Sequence, residues 1–179
     1  MKTIIGITGL PGSGKSEFAS LLKKKKFNIF EMSSIVLGMM DDQGIAQTNI
    51  NVREFGTNIR KKYGKDFVAK ETVNRIKKLK HGKVAISGIR SKYEIDLFKK
   101  HFKNILIVAL VSSPKVRFER MKKRGKTSDP KNQKDFIYRE KIEKSWGFPE
   151  AIKSADCYIF NTGTIKDLEK NLNQILSML

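Results

Sequence analysis

The stretch Gly9-Leu10-Pro11-Gly12-Ser13-Gly14-Lys15-Ser16 constrains this chain more than any other, because it is a complete GxxxxGKS motif directly after the apolar run Thr3 to Thr8. That run reads as a buried strand. Phe18, Leu21 and Leu22 then recur at helical spacing, so the motif joins a strand to a helix, the context that separates a phosphate-binding loop from a chance glycine cluster. Gly9, Gly12 and Gly14 let the backbone bend until its N–H groups converge on phosphate oxygens. The helix N-terminus behind them adds roughly half a positive charge. In such a loop Lys15 reaches the terminal phosphates and the Ser16 hydroxyl ligates Mg²⁺.

A chain of 179 residues fits one domain, residues 1–179, that needs no disulfide or zinc to hold it. Cys157 is the only cysteine, sits in the apolar run Cys157 to Phe160, and reads as a buried thiol in a reducing compartment. The apolar N-terminal run is too short for a signal peptide or membrane span and ends in the loop, so the expected location is the cytoplasm. A net charge of +19 raises nucleic acid as a partner. The kind of cation weakens that reading: 29 of the 37 basic residues are lysines, spread over helix surfaces as in Lys23 to Lys26, and only 8 are arginines. Arginine is the residue suited to bidentate phosphate contacts, so its positions are the informative ones.

Phe27 to Phe30 reads as a second short strand, followed by Met32-Ser33-Ser34. From Ile35 to about Gly82 the pattern is helical, with a loop around Asp41 to Thr48. Arg53 and Arg60, seven apart, share a helical face, either as surface charge or as part of a site. Val84 to Ser87 is a third strand running into Gly88-Ile89-Arg90, and Ser91 with Glu94 matches a capping box. Arg90 thus lies at a strand's carboxyl end beside a helix N-terminus, where open α/β sheets bind ligands. Ile105 to Val111 is the clearest buried strand, and Ser113-Pro114 starts the next helix. Arg117, Arg120 and Arg124 line one face of it. A polar segment from Gly125 to about Pro149 follows, with a helix carrying Arg139 that ends near Trp146-Gly147 and little core of its own, the pattern of a lid. Trp146 suits a hinge anchor more than a nucleotide contact. Asp156 to Phe160 leads into a fifth strand, and Thr164 with Asp167 caps a last helix with a long apolar stripe. Five strands alternating with helices indicate a three-layer α/β fold with a parallel sheet.

With these pieces placed, the chain resembles the P-loop nucleoside-monophosphate-kinase group, and within it an archaeal family related to adenylate kinase and dephospho-CoA kinase. The motifs that carry the resemblance are the glycine loop with Glu17, Ser87-Gly88-Ile89-Arg90-Ser91, Ser113-Pro114 with Arg117 to Arg120, Arg124-Gly125, Arg139-Glu140, and Ala155-Asp156 through Asn161 and Gly163. The resemblance implies a P-loop NTPase fold with strand order 2-3-1-4-5, an acceptor-binding insertion at 33–82 and a lid at 125–149. It implies ATP and Mg²⁺ as cofactors, and Asn161 to Thr164, including Gly163, against the adenine. Arg120 and Arg124 would contact transferring phosphates, Arg139 would swing in from the lid, and Arg90 would hold the acceptor phosphate, with Ser33, Gly88 and Arg60 also on the acceptor side.

The chain departs from that pattern at Ser87, where relatives commonly have Asp supporting Mg²⁺ through water. It departs again at Ser33 and Ser34, where an acidic residue is frequent, and at Leu37, where an acceptor arginine is expected. Glu31, Asp41 and Asp42 are the candidates for the missing carboxylate. Glu17 stands where many such loops have Thr and reads as an acidic residue in a first helical turn. Three functions compete: a phosphotransferase on AMP or a related adenosine compound, a nucleotide-binding regulatory or assembly module, and a nucleic-acid-associated ATPase. Oligomeric state is left open.

Overall fold

Parallel pairing of the apolar runs organises the chain. The computed structural model describes residues 2–80 and 82–179; Met1 and His81, which the expected domain and insertion ranges include, lie outside the described residues. The elements alternate as β1 (Lys2–Thr8), α1 (Lys15–Lys24), β2 (Asn28–Glu31), α2 (Ser33–Asp41), α3 (Asn49–Tyr63), α4 (Phe67–Lys77), β3 (Gly82–Ile89), α5 (Lys92–His101) and β4 (Ile105–Val111). They continue as α6 (Pro114–Arg124), α7 (Gln133–Ser145), α8 (Phe148–Lys153), β5 (Cys157–Phe160) and α9 (Ile165–Leu176). The strands form one sheet of order β2-β3-β1-β4-β5, all pairs parallel, as the sequence and the resemblance lead one to expect. β4 has the expected bounds. β2 starts and ends one residue later than Phe27 to Phe30, and β3 is longer at both ends.

Alternation along the strands splits the core into two layers. Ile4, Val84, Ile86 and Ile107 face α2 to α5, where Val73, Ile76, Ile95 and Phe98 meet them. Ile5, Ile7, Ala85, Val108 and Leu110 face α1 and α9, whose Phe18, Leu22, Leu168 and Leu172 close the other side. Side-chain caps fix the helix starts that matter for the cleft. Ser91 and Glu94 form the expected capping box on α5, Ser113 caps α6 with Pro114 behind it, and Thr164 and Asp167 form a second box on α9.

Three features differ from the sequence expectation. The short helix α8 was not anticipated; Phe148 and Ala151 are buried there, with Ala151 in the core layer beside α5. The segment read as having little core packs Phe136 into the interior, with its ring 5.3 Å from that of Phe118 on α6. Cys157 is half-buried, its Sγ 4.0 Å from the Ile107 carbonyl oxygen. Among the described residues no helix is long and apolar enough to cross a membrane.

Candidate functional site

The carboxyl ends of the parallel strands open into a cleft of about 1500 Å³, the position that doubly wound sheets reserve for ligands. At its floor lies the glycine loop. Gly12 has φ of +82°, and a Cβ there would come within 2.5 Å of the Arg117 carbonyl oxygen; Gly14 has φ of +101°, and its Cβ would strike Asn161 Nδ2. Only glycine follows that path. The Asn161 amide donates to the Ser13 carbonyl at 2.9 Å, tying the β5–α9 loop to the glycine loop across the chain. Ser13 Oγ is buried without a hydrogen-bond partner. Lys15 bends back so that Nζ donates to the carbonyls of Gly9 at 2.6 Å and Leu10 at 3.1 Å. Burial pushes its ammonium down to about 7; Glu143 and Glu31 oppose that shift, and Arg90 and Arg139 add to it.

The loop is braced from behind by Arg117, which is buried. Its NH1 donates to the Pro11 carbonyl at 3.3 Å, its Nε to the Ser112 carbonyl at 3.1 Å, and its NH2 pairs with Glu140 at 2.5 Å. The stripe of three arginines on α6 therefore divides its work. Arg117 supports the loop, whereas Arg120 and Arg124 line the cleft. Arg120 NH1 donates to Ser112 Oγ at 3.3 Å, and Arg124 makes a two-pronged pair with Asp129 at 2.8 and 2.5 Å.

The expected site residues fall into three groups. Pro11, Gly12, Gly14, Lys15, Ser16, Glu17, Asn161 and Gly163 line the cleft together with Arg120, Arg124 and Arg139, and so do Ser33, Gly88 and Arg90. Gly9, Leu10 and Ser13 form the underside of the loop, through the carbonyls and the amide contact already described. Arg60 is turned elsewhere. It is buried, its NH1 donates to the Gly56 carbonyl at 2.8 Å, and its NH2 lies 3.4 Å from Glu94. Burial lowers its pKa and raises that of Glu94, the cost of a charge pair held out of water. Arg53 shares the helix but is not surface charge either. Only 2% of it is exposed, and it lines the cleft.

Four acidic side chains escaped the sequence reading or were left unplaced by it. Glu143 of α7 is buried between two arginines: Arg139 Nε donates to Oε1 at 2.8 Å, and Arg53 Nε lies 3.0 Å from the same atom. Burial alone would raise its pKa, but Arg139, Arg53 and Arg90 together hold it at about 2. Asp129 accepts from Arg124 and, at 3.1 Å, from Arg139 NH1; burial opposes ionisation there too, and the arginines more than offset it. Glu140 holds Arg117. Glu31, at the end of β2 opposite Ser87 in the register, lines the cleft, whereas Asp41 and Asp42 do not. Spacing on α7 carried the signal for Glu143, since 136, 139 and 143 share one helical face, but that face mixes one aromatic with two charges.

A magnesium ion calls for hard oxygen donors. Ser16 and Glu31 offer a hydroxyl and a carboxylate at the cleft, and no cluster of three metal-ligating side chains exists among the described residues. That donor set fits an ion held chiefly by nucleotide phosphates and water, not by a protein cage.

Comparison of folds gives the class. The chain superposes on TT1252 from Thermus thermophilus with a TM-score of 0.68 at 20% identity, covering 99% of this chain and 98% of that one. It superposes on deoxyadenosine kinase from M. mycoides with a TM-score of 0.61 at 13% identity over 100% of both chains. A shikimate kinase from Acinetobacter baumannii gives 0.59 at 16% identity over 99% and 94%. The fold is that of the P-loop kinases. A family model described as AAA domain matches residues 5–144. UPF0200 proteins of Pyrococcus horikoshii and Methanocaldococcus jannaschii are 32% and 35% identical, over 98% and 97% of this chain and 97% and 88% of theirs. The chain belongs to the AAA-domain family so described and to the UPF0200 proteins, and the resemblance to the P-loop nucleoside-monophosphate-kinase group is borne out.

Proposed function

We propose that the chain is an ATP- and Mg²⁺-dependent phosphotransferase acting on a nucleotide-like acceptor, with AMP or a related adenosine compound favoured. The observation that carries this reading is the gathering of cations in one cleft. Lys15, Arg53, Arg90, Arg120, Arg124 and Arg139 all line it, together with the glycine loop, Ser33 and Gly88. These cations in one cleft suit the phosphates of a donor and of an acceptor bound together. That a shikimate kinase and a deoxyadenosine kinase share this fold supports transfer to a small acceptor.

In this reading residues 33–82 hold the acceptor and 125–149 form the lid. The nucleotide phosphates lie on the glycine loop, with Asn161 and Gly163 toward the base. Ser16 and Glu31 would hold a magnesium ion, which would supply neutralisation of charge on the phosphates. An oxygen of the acceptor attacks the γ-phosphorus, the bond from that phosphorus to the β,γ-bridging oxygen breaks, and ADP leaves. Charge spreads over the equatorial oxygens, so Lys15 and the arginines act by position and positive charge, and one arginine can matter by roughly 10³ to 10⁵ in rate. A phosphate acceptor is already ionised near pH 7, its second pKa being about 6. No general base is then needed, and Ser87 in place of a carboxylate would remove only an outer support of the magnesium ion.

A second reading, a nucleotide-binding module with little turnover, draws on that same Ser87 and on the neutralisation of Arg124 and Arg139 by Asp129 and Glu143. A coupled assay for ADP across AMP, other monophosphates and dephospho-CoA separates the two. The phosphotransferase reading expects acceptor-stimulated turnover that Lys15→Ala abolishes; nucleotide binding without turnover would replace it by the second.

A further inference from the structure

Trp146 is the only tryptophan of the chain. It does not line the cleft, yet it touches the supports of one wall. Its indole N–H donates to Thr57 Oγ1 on α3 at 3.0 Å, and Gly56 leaves room for the ring, since a Cβ there would lie 3.3 Å from it. Two guanidinium groups rest on the ring, Arg60 at 4.6 Å and Arg90 at 5.2 Å from its centroid. Glu94 connects them a second time: its Oε1 pairs with Arg60, while its Oε2 accepts from the Arg90 N–H at 2.6 Å and the Ser91 N–H at 3.2 Å. The contacts close a circuit. Glu94 fixes the Arg90 backbone and Arg60, Arg60 fixes the ring, and the ring carries the Arg90 side chain.

The type of support matters. Among the described residues Arg90 makes no salt bridge to a carboxylate, although Glu143 and Glu94 feel its charge; its side chain rests on an aromatic face. An aromatic quadrupole holds a cation without occupying its N–H donors, whereas a carboxylate would take up two of them and cancel the charge. Arg139 and Arg124, elsewhere in the cleft, are held in that other way. Trp146 also follows the last residue of α7, the helix that bears Arg139 and Glu143.

We propose that Trp146 is the positioning residue of the acceptor subsite: it aims Arg90, undischarged, at a phosphomonoester of the acceptor and ties that arginine to the end of α7. The inference rests on the phosphotransferase reading for the word acceptor, but the placement of Arg90 is testable without turnover. A mere hinge anchor needs the apolar ring and the Thr57 bond, and has no use for two cations on the ring.

Steady-state kinetics with ATP and AMP on Trp146→Phe and Trp146→Leu provide the first readout. Trp146→Leu removes the π face and raises the KM for AMP about tenfold while the KM for ATP stays within about twofold; Trp146→Phe keeps a π face and restores most of the loss. The second readout is the emission of the sole tryptophan during titration with AMP. It changes in the wild type, and Arg90→Gln abolishes the AMP response while leaving the ATP response. If AMP alters emission through Arg90 but no phosphoryl group is transferred, the phosphotransferase reading fails and the placement of Arg90 stands. Emission blind to AMP, or equal shifts of both KM values in Trp146→Leu, overturns the proposal. Should the Leu variant not fold, the Phe variant and the emission titration decide.

Discussion

Lys15 shows how one residue carries the state of the whole cleft. Burial first, and then the cations Arg90 and Arg139, push its pKa down to about 7, against the pull of Glu143 and Glu31. A bound phosphate favours the charged ammonium. Nucleotide binding should therefore take up a proton above pH 7, and affinity should fall as pH rises, approaching about tenfold per unit until the pKa of the bound state is reached. Titration with a non-hydrolysable ATP analogue between pH 6.5 and about 9.5 checks this. Lys15→Met should bind more weakly and with a flat profile over the same range; a sloping profile in that variant would assign the proton elsewhere. Arg60 and Arg117 give the converse lesson. Their positions on helical faces were legible, but a periodic face does not say whether an arginine looks into a cleft or into the body of the protein. Both found carboxylates, the buried Glu94 and the partly buried Glu140, which are distant in sequence or on another helix.

At the scale of elements, the sequence spoke clearly where the physics is local. Strand β4, the caps of α5, α6 and α9, and the strand–loop–helix of the glycine motif follow from apolar runs and hydroxyl–carboxylate spacings that act within a few residues. α7 was harder to read because its buried face is Phe136, Arg139 and Glu143, a stripe that hydrophobic periodicity scores as surface. α8 has six residues, too few to show a period. The join between α3 and α7 is thus electrostatic, and Glu143 is its centre. Its carboxyl, held at about 2, lies below the ordinary value of 4.5. Its contribution is full above about 4.5 and is lost as pH falls through 2. Glu143→Gln leaves Arg53 and Arg139 buried without that charge and should lower stability at pH 7 by about 3 kcal/mol, the low end for breaking a buried pair. Urea unfolding at pH 7 and pH 3 tests the sign: the gap between variant and wild type should narrow at the lower pH. A constant gap would make the join one of packing, not charge.

For the molecule as a whole, most arginines gather at the cleft, whereas lysines stand both there, as Lys15, Lys123 and Lys126 do, and over the rest of the surface. Arginines 53, 60, 90, 117, 120, 124 and 139 lie in or behind the cleft. Exposed lysines gather at the last turns of α1, α4 and α5 and just beyond them, as at Lys23 to Lys26, Lys77, Lys78, Lys99 and Lys100. In a parallel sheet with returning helices those turns share the end of the molecule opposite the cleft, and lysines there complement the negative helix termini. Few acids answer them; Lys99 with Asp156 at 2.6 Å is one pair that does. A net charge of +19 then works against the compact state through self-repulsion that only solvent ions relieve. The Debye length shrinks from about 30 Å at 0.01 M salt to about 8 Å at 0.15 M, so repulsion between these lysine clusters is screened over that range. The melting temperature should accordingly rise by a few degrees over that range, since for a domain of this size roughly 1 kcal/mol corresponds to about 2–4 °C. Calorimetry in sodium chloride measures it directly. A melting temperature that falls with salt would mean that the exposed ion pairs outweigh the repulsion, and that the lysine-rich end is held by partners within the chain instead of standing open to solvent.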